Sequence, residues 1–293
     1  MRVIDLFSGM GGFSYGFKQS NFQIDQGIDS WDKALKSYST YLKAPTKQIK
    51  IDEYFPTKKD FDLVIVGGSP CQDFSRLNTK RNIYSKRASL VLDYCRIIKA
   101  IQPEVFVFEN VIGLAKWAET AIFELKGYKI TKNIINSENF GIAQSRKRKI
   151  FIGSKKRTIE IKNPLIKSVK TVREVFNSIK DNWGFANHSK STIEKFSKIT
   201  SNSWISVSEK SNYEGVIRLT WDNPACAITN IKKAQILHPE ENRVISIAEA
   251  LGLQDFPNWY IPFGSDTDKA IQIANAIPPG VSKAIANKII ERI

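Results

Sequence analysis

The chain of 293 residues is poor in the residues that build extracellular staples and metal centres: three cysteines, Cys71, Cys95 and Cys226, and two histidines, His188 and His238. Thiols so few and scattered exclude a disulfide framework. No zinc-type ligand spacing can be assembled from them, so no metal is expected. No apolar run approaches the ~18 residues of a membrane span. The opening stretch Met1–Phe7 carries Asp5 and no long apolar region, so no signal peptide is read there and a cytoplasmic protein is expected. Acids are the scarcer charge, 29 Asp and Glu against 44 Lys and Arg, for a net charge of +15. A solubilising lysine surface would produce such an excess, and so would a polyanionic partner. Clustering favours nucleic acid. From Arg76 to Arg87 there are five basic residues and no acid, and from Arg146 to Lys162 there are eight against Glu160 alone.

What is present reads as an ordinary globular chain of one or two domains, 42 % hydrophobic and 25 % charged. Short apolar runs at Val3–Phe7, Leu63–Val66, Val105–Phe108 and Ile150–Ile152, each ending in Gly, Ser or polar residues, predict buried strands. Between them, Leu90, Val91, Tyr94, Ile97, Ile98 and Ile101 recur at helical spacing, as do Ala118, Ala121, Ile122 and Leu125. Alternation of this kind implies an α/β fold, a mostly parallel sheet with helices on both faces and ligands beyond the carboxyl ends of the strands. After Gly153 the texture turns to Lys, Ser, Asn and Thr. The expected division is a larger domain of residues 1–158 and 266–293 and a smaller one of 159–265. A helix is expected after Pro278-Pro279-Gly280.

Three segments carry candidate chemistry. Phe7-Ser8-Gly9-Met10-Gly11-Gly12 is a glycine-rich turn between a strand and a helix, followed roughly 20 residues later by Asp29, where nucleotide-binding folds put an acid on ribose hydroxyls. Ser14 replaces the third glycine of the dinucleotide pattern, which points to a different nucleoside cofactor; a plain tight turn explains the loop alone equally well. Asp52 is a second polar candidate, or an exposed loop acid. Gly67-Gly68-Ser69-Pro70-Cys71-Gln72 puts a thiol in a stiff turn at a strand's end, where basic neighbours would favour its thiolate. Cys95 reads as helix packing. The long basic stretch onward to Arg87 fits a lid closing over DNA, or a disordered loop. Phe108-Glu109-Asn110-Val111 ends another strand with a carboxylate, and burial would keep Glu109 protonated and able to donate to a ring nitrogen. Gln144, Arg146 and Arg148 alternate before Ile150–Ile152; an extended chain would point all three to one side, toward a base carbonyl, Glu109 or a phosphate.

In order, Asp5-Leu6-Phe7-Ser8-Gly9-Met10-Gly11-Gly12, Gly68-Ser69-Pro70-Cys71-Gln72, Phe108-Glu109-Asn110-Val111, Gln144-Ser145-Arg146-Lys147-Arg148 and Asn275-Ala276-Ile277-Pro278-Pro279 resemble the motifs of the DNA cytosine-5 methyltransferase family over nearly the whole chain. The resemblance implies the Rossmann-like methyltransferase fold with a small target-recognition domain, S-adenosylmethionine as cofactor and double-stranded DNA as partner. It further implies a monomeric, nucleoid-associated protein of the bacterial type, with a cognate restriction endonuclease acting on the same site. It assigns Phe7, Ser8, Gly9, Gly11, Gly12, Pro70, Leu90 and Asn275 to the cofactor pocket, Asp29 to the ribose, and Asp52 and Trp31 to the adenine. Gln72, Ser75, Arg76, Lys80, Arg81, Arg87 and Gln144 would contact DNA.

The implied mechanism has Cys71 attacking C6 of a flipped-out cytosine, Glu109 serving N3, Arg148 holding the O2 side and Arg146 supporting Glu109, with water as a candidate acceptor of the C5 proton. Three departures stand out. Ala274 and Asp255 replace small residues of the pattern, and Ala248-Glu249 replaces an Arg-Glu pair, removing a charge that helps to shape the small domain. None removes a chemical group from the active site, so activity is expected. Competing readings are an RNA cytosine methyltransferase on the same core and a non-catalytic DNA-binding homologue. The presence of Cys71, Glu109 and the arginines argues against the second.

Overall fold

The computed structural model describes the chain except residues 71–73, 75–81, 87, 165–167, 201–215, 230 and 232–235. In chain order the first elements are β1 (Arg2–Leu6), α1 (Gly12–Gln19), β2 (Gln23–Asp29), α2 (Asp32–Leu42), β3 (Thr46–Gln48), β4 (Leu63–Gly67), α3 (Leu90–Ile101), β5 (Val105–Val111), α4 (Lys116–Phe123), β6 (Lys129–Asn136) and β7 (Lys147–Ser154). They are followed by α5 (Val172–Ser178), α6 (Lys190–Ser197), β8 (Ile217–Arg218), β9 (Ile236–Leu237), α7 (Ile247–Leu253), α8 (Asp266–Asn275) and α9 (Pro279–Ile290). Among the described residues no helix is long and apolar enough to cross a membrane.

The chain forms two compact units. The first comprises Met1–Asn136, Lys147–Asn163 and Pro279–Ile293, built on a seven-stranded sheet in the order β3-β2-β1-β4-β5-β7-β6. The pairs from β3 to β5 are parallel, and β7 enters antiparallel between β5 and β6. All four strands read from the sequence are present. They were legible because β4 and the first four residues of β5 are buried on both faces and therefore run continuously apolar.

Alternation along the strands sorts the side chains. Leu6, Ile65, Phe106 and Phe108 share a buried cluster with Val91, Tyr94, Ile98, Ala118 and Ile122 of α3 and α4. The Tyr94 ring lies 4.9 Å from that of Phe108, and its hydroxyl donates to the Val107 carbonyl at 2.9 Å. Asp5 points to the other face, toward α1 and α2. There α9 packs on α1: the Ser282 hydroxyl donates to the Phe13 carbonyl at 2.6 Å, and Ser20 donates to Asn287 at 2.7 Å. A Cβ on Gly16 would lie 2.5 Å from the Pro279 carbonyl oxygen, so this closeness requires glycine.

The topology reverses between β1 and β4, where β2 and β3 continue to one side and β5 to the other. A ligand crevice is expected at their carboxyl ends. β7 carries the basic run away from that end. Arg148 pairs with Val111 at the carboxyl end of β5 and Ser154 with Val105 at its start, roughly 20 Å apart at strand rise. Lys155, Lys156 and Arg157 therefore follow at the opposite end of the sheet. The cluster is one in sequence and two in space.

The second unit comprises Ser137–Arg146 and Pro164–Pro278, so the segment 137–146 and the stretch 266–278, both read from sequence as part of the larger domain, cluster here. Capping boxes start α5 (Thr171 with Glu174), α7 (Ser246 with Glu249) and α8 (Ser265 with Asp268). Arg218 donates to the carbonyls of Phe196, Ile199, His238 and Glu241 and to Asn242, gathering the loops around the short β8–β9 pair. Glu249 is held by both terminal nitrogens of Arg243 at 2.8 Å and by Asn182 at 2.9 Å. The charge absent at Ala248 is thus supplied from five residues upstream, by Arg243, a substitution of partner that the sequence pattern did not reveal.

Candidate active site

The turn after β1 is shaped by its backbone. Phe7, Gly9 and Gly11 take positive φ (56°, 51° and 95°), and Gly11 leads into α1. The Gly9 amide donates to Asp29 Oδ2 at 2.8 Å, and the Trp31 amide to Oδ1 at 3.0 Å, so the carboxylate at the end of β2 is oriented against the glycine turn. Burial raises the Asp29 pKa, and the amide hydrogen bonds oppose that rise. Beneath the turn, Asp5 accepts from the Ser14 hydroxyl at 2.7 Å and its amide at 3.3 Å, and Ser14 shares a 2.7 Å hydrogen bond with Tyr38. Burial pushes Asp5 up to about 8. Sequence reading passed over Asp5 as a strand residue, since nothing local marks an inward-facing acid.

Ser8 is 6 % exposed, and its hydroxyl has no hydrogen-bond partner among the described residues. A buried orphan beside a glycine turn, an oriented acid and the amino end of a helix is the polar lining that an amino-acid-bearing nucleoside needs. Asp52 sits in the tight helical turn Ile51–Glu53 and meets Lys86 at 3.1 Å, whose hydrogen bond lowers its pKa. Arg96 of α3 clamps that turn, donating to the carbonyls of Ile51 at 3.0 Å and Tyr54 at 2.8 Å, a support the sequence did not signal. Leu90 begins α3, half-buried.

The loop after β4 meets the end of β5 closely. A Cβ on Gly68 would lie 2.8 Å from Glu109 Oε2 and 3.0 Å from the Glu109 carbonyl oxygen, so any side chain here would displace the Glu109 carboxylate. Glu109 Oε1 is 2.8 Å from Arg148 Nε, with side-chain exposures of 16 % and 14 %. Glu109 is thus half of an ion pair whose partner is Arg148, where Arg146 was expected to support it. Asn110, fully buried, donates to the Ser69 carbonyl at 3.1 Å and hydroxyl at 3.2 Å. Phe74, also fully buried, packs on Trp117. Burial pushes the Cys95 thiol up to about 12 and the Cys226 thiol up to about 11, which makes both poor nucleophiles at neutral pH.

A model of the family described as C-5 cytosine-specific DNA methylase matches residues 1–291. The chain belongs to that family. This DNA cytosine-5-methyltransferase is 28 % identical over 327 residues to a type II methyltransferase of Haemophilus parahaemolyticus, covering 99 % of this chain and 87 % of that protein. It is 29 % identical over 309 residues to a type II methyltransferase of Herpetosiphon aurantiacus, with 99 % and 94 % covered. In fold it resembles a DNA modification methyltransferase encoded within an E. coli prophage, with a TM-score of 0.82, 21 % identity and 100 % and 99 % of the chains covered. The S. pombe Dnmt2 methyltransferase has a TM-score of 0.73 at 17 % identity, with 99 % and 98 % covered.

Within this methyltransferase the first unit brings Phe7, Ser8, Gly9, Gly11, Gly12, Asp29 and Trp31 to neighbouring strand ends, and Gly68, Ser69, Glu109 and Arg148 to the next pair of strands. Pro70 leads out of the described loop; Cys71, Gln72, Ser75, Arg76, Lys80, Arg81 and Arg87 lie outside the described residues. Arg146 does not take the role expected of it. Its guanidinium donates to the carbonyls of Ile228 at 3.0 Å and Ala274 at 2.9 Å, within the second unit, and Arg148 makes the ion pair with Glu109. Gln144 is fully buried, donating to Leu253 and Gln254 and accepting from the Ile228 amide, which leaves it no face for a DNA contact. Asn275, the last residue of α8, is exposed in the second unit.

Proposed function

We propose that the protein transfers a methyl group from S-adenosylmethionine to C5 of a cytosine in a specific duplex DNA sequence, through a transient bond between Cys71 and C6, and so protects that DNA from a cognate restriction nuclease. The observation that carries the reading is the placement of Glu109, held by Arg148 at 2.8 Å and in contact with Gly68, three residues before the thiol. The unpartnered Ser8 hydroxyl and the Gly9–Asp29 turn fit the cofactor's amino-acid and ribose groups. When bound, that sulfonium compound supplies an electrophilic methyl group. Asp29 would hold ribose hydroxyls, Asp52 and Trp31 the adenine, and Leu90 would line the same pocket.

Cytosine C5 is too weak a nucleophile to react unaided. The Cys71 thiolate adds to C6, and the displaced electron pair makes C5 enamine-like while Glu109 steadies N3 by donating or sharing a proton. Arg148 keeps Glu109 aimed and reaches the O2 side. After methylation, loss of the C5 proton to a base restores the ring double bond and expels the thiolate. The base must leave the duplex first, at a cost of a few kcal/mol, which basic side chains of the loop from Gln72 to Arg87 offset through phosphate contacts. The region of residues 159–265, most of which lies in the second unit, reads the target sequence, and the protein acts as a monomer in the cytoplasm.

The test is direct. Cys71→Ala abolishes incorporation of labelled methyl groups into duplex DNA while S-adenosylhomocysteine still binds; turnover by this variant removes the nucleophile assignment. Transfer to duplex DNA and none to tRNA is expected, and sequencing the methylated positions identifies the target.

A further inference from the structure

We propose that Asn110 is a positioning residue for methyl transfer, its buried side-chain amide holding the Gly68–Pro70 segment that precedes Cys71 in register with Glu109. The inference rests on the proposed role of Cys71. The β4–β5 ladder ends at the Gly67–Phe108 pair. Beyond it the chain after β4 must turn to present the thiol, and main-chain pairing stops. The Asn110 side chain spans this gap by donating from Nδ2 to the Ser69 carbonyl at 3.1 Å and to its hydroxyl at 3.2 Å. Its orientation is fixed from the other end, because Oδ1 accepts the Val111 amide at 2.9 Å, so Nδ2 can only face the loop.

Glu109 and Asn110 are consecutive on one strand and project to opposite sides. One meets Gly68, and the other holds Ser69. A single rigid dipeptide therefore sets both the carboxylate and the main chain two residues before the sulfur. Slack at Ser69 passes to the thiol, and a misplacement of about 1 Å at a reacting atom costs on the order of a hundredfold in rate. At 0 % exposure, removing the amide takes a hydrogen bond away from the Ser69 carbonyl in the interior rather than at the surface.

The experiment uses the full chain and duplex DNA with 5-fluorocytosine at every cytosine, which traps the thiol adduct whatever the target sequence. Asn110→Ala slows adduct formation and single-turnover methyl transfer together by tenfold or more, while the Kd for S-adenosylhomocysteine stays within twofold. Ser69→Ala, which removes the hydroxyl acceptor and leaves the carbonyl, loses less. Asn110→Asp lacks the donor when ionised, and its adduct rate relative to wild type rises as pH falls from 8 to 6. An Asn110→Ala adduct rate within threefold of wild type overturns the proposal, as does a parallel loss of adduct formation and cofactor-analogue binding. If that variant does not fold, an Asn110→Asp rate ratio that is flat with pH overturns it. A wild-type enzyme that forms no adduct defeats the nucleophile reading and this inference with it; wild-type adduct with matching variants defeats this inference alone.

Discussion

Replacing Arg148 by Met tests the Glu109 ion pair most sharply. Unit charges 2.8 Å apart attract by roughly 6 kcal/mol at an effective dielectric constant of 20. Both side chains are about 15 % exposed, so desolvation offsets much of that attraction, and a net coupling of about 1–3 kcal/mol remains. Arg148→Met strands the carboxylate and is expected to cost about 2 kcal/mol in urea unfolding. Glu109→Gln should cost less, and the double variant should recover part of the loss, giving a coupling above about 1 kcal/mol in the cycle. In single-turnover methylation both single variants should fall by more than tenfold, because the acid proposed to serve N3 has lost either its transferable proton or its aim. A coupling below about 0.3 kcal/mol would show that the pair behaves as a solvated surface contact, and the geometric argument for Arg148 would fail.

Gly68→Ala drives a methyl group into Glu109 and should reduce turnover at least tenfold while far-ultraviolet circular dichroism is retained; undiminished turnover would show that the loop yields. Arg243→Met leaves Glu249 buried without its bidentate partner and should destabilise the protein by about 2–4 kcal/mol in denaturant titration, with Glu249→Gln in the same background restoring part of it. Asp5, raised to about 8, retains its proton in the folded state while the unfolded chain loses it near 4, so its stabilising contribution is complete below pH 4 and is lost as pH rises through about 8. Asp5→Asn carries no such dependence. The stability of wild type relative to this variant should drop by about 3 kcal/mol between pH 5.5 and 8.5, and a constant difference would refute the buried neutral acid.

Strands buried on both faces announced themselves by continuous apolar residues, whereas β2 and β6, each with exposed positions, present mixed sequences that periodicity does not separate from loops. Asp29 was nonetheless found, because its distance from the glycine turn is set by one strand–helix–strand repeat. The error at Gln144 and Arg146 has a physical origin. Alternation applies only within a strand, and β7 begins at Lys147. Before it, Ala143 and Ser145 hydrogen-bond to Ala225, so the chain leaves the sheet and the parity linking Arg146 to Arg148 is broken. Asn110 was visible as part of a motif, but its donor function depends on the end of a ladder, which only the fold reveals.

The packing of α9 on α1 joins Ser282 to Phe13 across a separation of 269 residues. At translation speeds of about 5–20 residues per second, the glycine turn waits on the order of tens of seconds before the helix that backs it exists. The nascent polypeptide therefore carries the glycine turn without its backing helix until Pro279–Ile290 has been made and docks, so the order of synthesis places the support last and the supported loop first.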